Sequence, residues 1–365
     1  MACQGGLLEA GEEVSDFEAI RRKLLETRKP RPVTVRGLST GSTLLNLACS
    51  GHSDWGFALG TYVFLVGDSA SGKSWLSLSC LAEACYEKRF DNYRLIHDNA
   101  EDGTLMDVGR FFGRLEDRLE GPSEEGSSTT VEQFFYNLDD ALAKGPCVYI
   151  LDSMDALTTE EEDSKFDERK KASRNGREVS GSYGVSKAKL NSSSIRRILP
   201  RLRETGSILL IISQTRDNLG FGFEKKTRSG GHALRFYATT EIWSSIQQKL
   251  TAIYKGKKQQ QGILAKLQIK KNRLTGREAT VCVPIYWSLG IDDTGSCVEW
   301  LIDQGHWAKT GAKVRASEFD FYGGFERLVV MIQKGGLEPK LHELVRRVWG
   351  EIEAACAVER RNRYE

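Results

Sequence analysis

Apolar residues fall in short solid runs separated by stretches with a helical repeat. Residues 62–66, Tyr-Val-Phe-Leu-Val, form the first run, and residues 93–97, 147–151 and 207–212 contain three more. Runs of this length predict strands buried on both faces, as in a parallel sheet covered by helices. Between them, Trp75, Leu76, Leu78, Leu81 and Ala82 predict a helix over 74–88, and residues 131–143 predict another. Ile195, Ile198, Leu199 and Leu202 recur at i, i+3, i+4 and i+7. They predict a helix whose other face carries Arg196, Arg197, Arg201 and Arg203, with Pro200 as a candidate kink. Strands alternating with helices predict an α/β fold built on a mostly parallel, doubly wound sheet.

The flanking segments differ. Ser15-Asp-Phe-Glu18 reads as a capping box, followed by Phe17, Ile20 and Leu24 at helical spacing. A short N-terminal helix within an arm over 1–36 is expected. Residues 158–186 are polar, begin with an acidic run, and predict a long loop. Residues 215–231 combine glycines, Phe221, Phe223 and four basic residues, and predict a flexible basic loop. Short alternating strands follow near 239–245, 264–270 and 279–284, an antiparallel extension of the sheet, with a solvated hairpin tip at 255–261. The core then spans 37–291. Residues 292–365, with a helix over 339–357, read as a small C-terminal α+β subdomain.

Composition narrows the compartment more than the partner. Lys and Arg number 52 against 50 Asp and Glu in 365 residues, so no global field declares a ligand. Locally the balance breaks. Lys249, Lys255, Lys257, Lys258, Lys266, Lys270, Lys271, Arg273 and Arg277 occur between 242 and 277 without one carboxylate. The eight Cys include no C-x-x-C and no zinc spacing with His, so reduced, partly buried thiols are expected. No stretch approaches the roughly 18 apolar residues of a membrane span. The chain reads as soluble and cytoplasmic.

Chemistry concentrates at the ends of the apolar runs. Gly67-Asp-Ser-Ala-Ser-Gly-Lys-Ser74 is a G-x-x-x-x-G-K-S motif between a predicted strand and a predicted helix, the context of a phosphate-binding loop. Backbone N–H groups of such a loop cradle anionic oxygens, and the helix N-terminus adds positive potential. Lys73 can reach outer phosphates and Ser74 can hold Mg²⁺. Asp152 closes the run 147–151, where a carboxylate holds Mg²⁺ through water. Asp98-Asn-Ala-Glu-Asp102 closes the run 93–97, which puts carboxylates on the ligand side of the sheet. Asp98, Glu101 and Asp102 all remain candidates for orienting water.

The order of these motifs resembles the bacterial RecA-like recombinases and their phage-encoded relatives, over about residues 37 to 291. The resemblance rests on Ser39-Thr-Gly-Ser-Thr-Leu-Leu-Asn46, Gly67–Ser74, Ile150-Leu-Asp-Ser-Met-Asp-Ala-Leu157, Ser213-Gln214, Ser229-Gly-Gly-His-Ala-Leu-Arg-Phe-Tyr-Ala238 and Ile269-Lys-Lys-Asn-Arg-Leu274. It implies ATP and Mg²⁺ as cofactors, held by Gly67, Asp68, Ser69, Ala70, Ser71, Gly72, Lys73, Ser74 and Trp75, with Ser74 and Asp152 on the metal. It implies Glu101 as the catalytic carboxylate, Gln214 as the γ-phosphate sensor, and Lys271 and Arg273 acting on a neighbouring subunit's ATP. Loops 158–186 and 215–231 would contact DNA through Arg216, Phe221, Phe223, Lys225, Lys226 and Arg228, with Lys189 and Arg196 as helix-borne contacts. The implied partners are single-stranded DNA, then duplex DNA, and further copies of the chain in a helical filament. Arg273 stands where the family usually has lysine.

The implied function is a DNA-dependent ATPase that pairs and exchanges strands. The alternative is another motor on the same core, a hexameric helicase or a RadA-like branch-migration protein. The latter would carry a Cys-rich zinc finger, which the cysteine spacing lacks. A non-enzymatic adaptor is the third class, and the full set Lys73, Ser74, Glu101, Asp152 and Gln214 opposes it. Replacing Phe223 by Ala is expected to weaken single-strand binding by about 1–3 kcal/mol and to leave nucleotide affinity unchanged. Paired fluorescence titrations with oligonucleotide and nucleotide check this, and a collapse of nucleotide affinity would assign Phe223 to the core instead.

Overall fold

The computed structural model describes residues 36–103, 106–174, 185–217, 226–228, 231–358 and 360. The helix predicted near 15–28 lies outside them. Gly37–Leu38 (β1) pairs antiparallel with Phe57–Ala58 (β2), and the intervening chain folds as helix Thr43–Ser50 (α1). Ser42 caps this helix by accepting from the Leu45 N–H, and Gly51 ends it in the left-handed region at φ 78°.

The predicted apolar runs form the centre of the sheet. They are Tyr62–Gly67 (β3), Arg94–Asp98 (β4), Cys147–Leu151 (β6) and Ile208–Asp217 (β7), with Leu119–Glu120 (β5) at one edge. All pair in parallel, in the order β3-β7-β6-β4-β5. The pleat sends successive β3 side chains to opposite faces. Val63 and Leu65 join the buried cluster under helix Lys73–Tyr86 (α2), with Leu76, Leu78 and Leu81. Tyr62, Phe64 and Val66 join a second cluster on the other face. The short helices Val108–Phe112 (α3) and Leu115–Arg118 (α4) close the first face, and Val131–Lys144 (α5) packs Phe134 and Leu138 on the second.

Residues 158–186 are not a loop throughout. Glu160–Arg174 (α6) is a helix, and Val185–Thr205 (α7) follows. Thr159 and Glu162 explain the start of α6. The Glu162 N–H donates to Thr159 Oγ1 at 3.2 Å, and Glu162 Oε2 accepts from the Thr159 N–H at 3.1 Å, a reciprocal capping box. Acidic residues fill the first turn while Lys171 and Arg174 occupy the last, which suits the helix dipole. The apolar repeat that marks most helices is missing because α6 packs little; Phe166 itself is 65% exposed. Helix α7 runs through Pro200 and buries Ile195, Ile198 and Leu202 as expected.

The segment 215–231 also has structure at its ends. Thr215, Arg216 and Asp217 pair antiparallel with Arg228, Thr227 and Lys226 of Lys226–Arg228 (β8), so the base of the predicted loop is a ribbon. Helix Gly231–Tyr237 (α8) leads to Thr240–Tyr254 (β9), which returns beside β3 in parallel. Lys257–Asn272 (β10), Ala279–Tyr286 (β11) and Gly290–Ile291 (β12) extend the sheet in antiparallel fashion. These strands are much longer than the predicted pieces. The expected tip at 255–261 reduces to Lys255-Gly256, both at positive φ, 48° and 76°, as a two-residue hairpin requires. The distal halves of β9 and β10 are exposed and rich in Gln and Lys, so no buried alternation announced them.

Helix Asp293–Asp303 (α9), a three-stranded sheet of Ala308–Thr310 (β13), Lys313–Ala316 (β14) and Phe321–Gly324 (β15), and helices Phe325–Lys334 (α10) and Glu338–Ala355 (α11) complete the chain. Leu301, Leu328, Leu341 and Val345 belong to the same buried cluster as Val63 and Ile269. No helix among the described residues is long and apolar enough to cross a membrane. Cys49, Cys80, Cys85, Cys147 and Cys297 are free and buried.

Replacing Thr159 by Ala should remove one half of the capping box and cost about 1 kcal/mol locally. Faster amide exchange confined to the first turn of α6, with an unchanged global unfolding midpoint, is the expected result.

Candidate nucleotide-binding site

Parallel strands deliver their C-terminal ends to one edge, where ligands of open α/β sheets bind. Here that edge carries Gly67 at the end of β3, Gln214 in register beside it on β7, Asp152 after β6 and Glu101 just beyond β4. The predicted residues from four separate runs are thereby brought together.

The phosphate loop is a tight arch. Gly72 sits at φ 90°, and a Cβ there would lie 2.5 Å from Ile285 Cδ1. A Cβ on Gly67 would lie 2.4 Å from the Ser244 carbonyl oxygen, so both positions require glycine. Within the arch Ser71 Oγ donates to the Asp68 carbonyl at 2.7 Å, and Ser244 Oγ donates to the Ser71 carbonyl at 2.7 Å. Ser69 and Ala70 form its crest, with Ala70 at φ 59°. Gly72 offers no side chain to cap α2, which leaves the first-turn N–H donors to an anion.

Lys73 is buried and donates Nζ to the carbonyls of Gly67 at 3.0 Å and Asp68 at 2.6 Å. Burial pulls its pKa down, against the opposing carboxylates of Asp152, Glu101, Asp68 and Asp155. Ser74 Oγ donates to Asp152 Oδ2 at 2.7 Å. A hydroxyl and a carboxylate on adjacent elements form a hard-oxygen pair, the donor type that suits Mg²⁺. The Trp75 ring packs against Phe111 at 5.0 Å and also meets Phe112, so its ring is committed to the core beside the loop.

The three carboxylates of 98–102 have separate surroundings. Asp98 is fully buried and accepts from the Ser128 N–H at 2.8 Å, Ser128 Oγ at 2.6 Å and Tyr149 OH at 2.8 Å. Asp102 is exposed at φ 51°. Glu101 accepts a hydrogen bond from Gln214 Nε2, and its N–H donates to the Asp152 carbonyl at 3.0 Å. Only Glu101 of the three joins the strand-end glutamine.

Bonds that sequence reading did not foresee hold this edge in place. Asp155 Oδ2 accepts from Ser213 Oγ at 2.8 Å and from the Gln214 N–H at 2.7 Å. Asp68 Oδ1 accepts from Thr215 Oγ1, tying the phosphate loop to the first residue of the ribbon. Lys187 donates Nζ to the Met154 carbonyl at 2.9 Å and the Leu157 carbonyl at 2.5 Å. A cleft of ≈ 440 Å³ beside Ala70–Trp75 is walled by Lys249, Gln260 and Trp287 from the antiparallel strands. Asp155 was legible as an acid after a strand; the cleft wall depends on a pairing that no local pattern encodes.

Lys271 and Arg273 lie elsewhere. Lys271 Nζ donates to the carbonyls of Arg235 at 2.6 Å and Phe236 at 2.7 Å, and an Arg273 Nη donates to Phe236 at 2.7 Å. Burial and the neighbouring cations Arg273 and Arg235 lower the Lys271 pKa to about 8, against the pull of Glu241. Lys189 and Arg196 are exposed on α7, with Arg196 Nε donating to the Ser192 carbonyl at 2.9 Å. Arg216, Lys226 and Arg228 sit on the ribbon at paired positions. Phe221, Phe223 and Lys225 lie outside the described residues.

A parallel sheet with a G-x-x-x-x-G-K-S loop between its first central strand and helix, faced by a strand-end Asp, defines a P-loop protein of the α/β class. Residues 139–292 match the RecA N-terminal domain family. Protein RecA of Desulforapulum autotrophicum is 28% identical over 281 residues, 75% of this chain and 72% of that protein. Protein RecA of Xylella fastidiosa (strain M12) is 26% identical over 286 residues, 76% of this chain and 74% of that protein. The chromosomal Protein RecA of Lactococcus lactis is 24% identical over 278 residues, 75% of this chain and 66% of that protein. The chain is RecA-like in sequence and fold.

Asp98→Ala should strand three donors in the interior and lower stability by about 3 kcal/mol or more. Glu101→Gln should leave the unfolding midpoint and nucleotide affinity near those of the parent. Thermal melts with and without nucleotide separate the two.

Proposed function

We propose that this chain is a Mg²⁺-dependent ATPase that polymerises on single-stranded DNA and then pairs and exchanges strands with homologous duplex. The observation that carries this reading is the double link between the phosphate edge and the ribbon. Glu101 bonds Gln214, and Asp68 bonds Thr215, the two residues that enter the basic segment 215–228. A change at the γ-phosphate therefore acts on adjacent residues at the mouth of that segment. Likeness to proteins named RecA along three quarters of the chain supports the same reading.

In this mechanism Glu101 accepts the proton of the attacking water, and Gln214 orients both. Lys73 leaves the Gly67 and Asp68 carbonyls to neutralise the outer phosphates. Ser74 and Asp152 would hold Mg²⁺, which when bound would supply positive charge against that developing on the phosphate. Basic groups of the ribbon and of α7, Arg216, Lys226, Arg228, Lys189 and Arg196, meet DNA phosphates, and Phe221 or Phe223 stacks on bases.

Strand register supports action of Lys271 and Arg273 on a neighbour's nucleotide. Lys271 stands opposite Glu241 on β9, and Glu241 stands opposite Phe64 on β3. That level is three residues, about 10 Å, before the strand end at Gly67, and two strands, about 10 Å, to the side. By this spacing Lys271 stands roughly 14 Å from the end of β3 where its own phosphate loop begins.

ATP turnover with and without single-stranded DNA, across a salt titration and with particles imaged in parallel, tests the reading. DNA-stimulated turnover that fades with salt, on helical filaments, is expected. Turnover indifferent to DNA would overturn it, and rings that unwind duplex would assign the chain to a helicase-type motor. Lys271 adds a pH signature. A phosphate brought beside it raises its pKa from about 8, so nucleotide-driven assembly at pH 8 should take up protons. Calorimetry in buffers of different ionisation enthalpy reads this uptake, and Lys271→Arg should abolish it.

A further inference from the structure

Helices α1, α2, α9 and α11 converge at a second polar site on the first face of the sheet. Glu83, its contribution from α2, lies ten residues beyond Lys73, about 15 Å along the helix. Asp293 and Cys297 stand four residues apart on α9, on one face of that helix. His342 reaches them from α11, with Nε2 at 3.0 Å from Asp293 Oδ2. Cys297 Sγ lies 3.9 Å from Asp293 Oδ1. One donor atom from each of the three residues falls within 4.8 Å of the others. Cys297 is fully buried, while Asp293 and His342 form part of the wall of a cavity of ≈ 480 Å³. Glu83, Asp54 and Glu87 add carboxylates to that cavity, with Arg89 paired to Glu87.

We propose that Asp293, Cys297 and His342 bind a divalent cation of the zinc class, with Glu83 or water as the fourth ligand, latching α11 to α1 and α9. A thiolate, an imidazole and a carboxylate are the donor set that this cation takes, at bond lengths near 2.0–2.3 Å. Tetrahedral angles at those lengths separate neighbouring donors by roughly 3.3–3.7 Å. His342 Nε2 lies 3.0 Å from Asp293 Oδ2 and Cys297 Sγ 3.9 Å from Asp293 Oδ1, so closure on one cation draws the His342 and Cys297 donors in toward a shared carboxylate. Asp293 is already oriented from behind, since the Thr43 N–H and Oγ1 each donate to it at 2.7 Å. Such outer bonds fix a ligand's direction in metal sites. The cavity gathers the carboxylates of Asp54, Glu83, Glu87 and Asp293 against Arg89 and His342, an excess of like charges that repel one another. A cation relieves that repulsion.

Binding releases protons. The Cys297 thiol loses its proton to become the thiolate ligand, and His342 offers Nε2 with its remaining proton on Nδ1. Affinity should therefore fall about tenfold for each released proton per unit of pH decrease. The site is independent of the phosphate edge, whose donors Ser74 and Asp152 include no sulfur.

Cobalt(II) titrated into the full chain tests the proposal. The expected result is one equivalent bound, with a thiolate-to-cobalt charge-transfer band that zinc displaces. Cys297→Ser should abolish the band, and Thr43→Val should weaken binding roughly 10–100-fold while retaining it. Zinc retained after dialysis, measured by elemental analysis, should fall in Cys297→Ser. No band in the parent, or a band unchanged in Cys297→Ser, overturns the proposal; the second outcome would point to another thiol such as exposed Cys356.

Discussion

Pairing between β3 and β7 runs in parallel from Tyr62 beside Leu209 to Gly67 beside Gln214. The phosphate loop and the basic ribbon therefore leave adjacent strands at the same level. The side-chain bond from Thr215 to Asp68 crosses that gap and depends on this register, while Glu101, beyond β4, reaches Gln214 from the other side of β7. The strand on the far side of β7 contributes Asp152, whose carboxylate reaches Ser74 at 2.7 Å. Shift one strand and the phosphate, metal and sensor groups separate together.

Stability and chemistry are divided between neighbours at this edge. Asp98 and Glu101 come from one strand end, yet Asp98 is spent on Ser128 and Tyr149 inside the fold, while Glu101 stays at the edge. Asp155 plays the structural part for Gln214, holding its N–H and the preceding hydroxyl. A carboxylate that anchors backbone from below lets the one above it remain available to a ligand.

Sequence legibility followed burial. The runs at 62–66, 147–151 and 207–212 were readable because both faces of those strands are covered, which leaves no polar position to interrupt them. The phosphate loop was readable because its glycines meet steric limits that no other residue satisfies. Helix α6 was not readable, since its support comes from a capping box and dipole-matched charges rather than an apolar stripe. The distal parts of β9 and β10 failed for the related reason that Gln and Lys face solvent on both sides. Links such as Asp68 to Thr215 depend on residues 147 positions apart, and nothing local encodes them.

Because β3 feeds Val63 and Leu65 to one core and Tyr62, Phe64 and Val66 to the other, its pleat acts as an alignment key for the whole molecule. An odd-numbered insertion in this strand would exchange the two sets of side chains, inverting both cores at once. An even-numbered one would keep each side chain on its proper face but slide the arch along the sheet by about 6.6 Å for two residues. Length changes in this strand are thus barred by parity as well as by distance, whereas the solvated hairpin of β9 and β10 meets neither barrier at its tip.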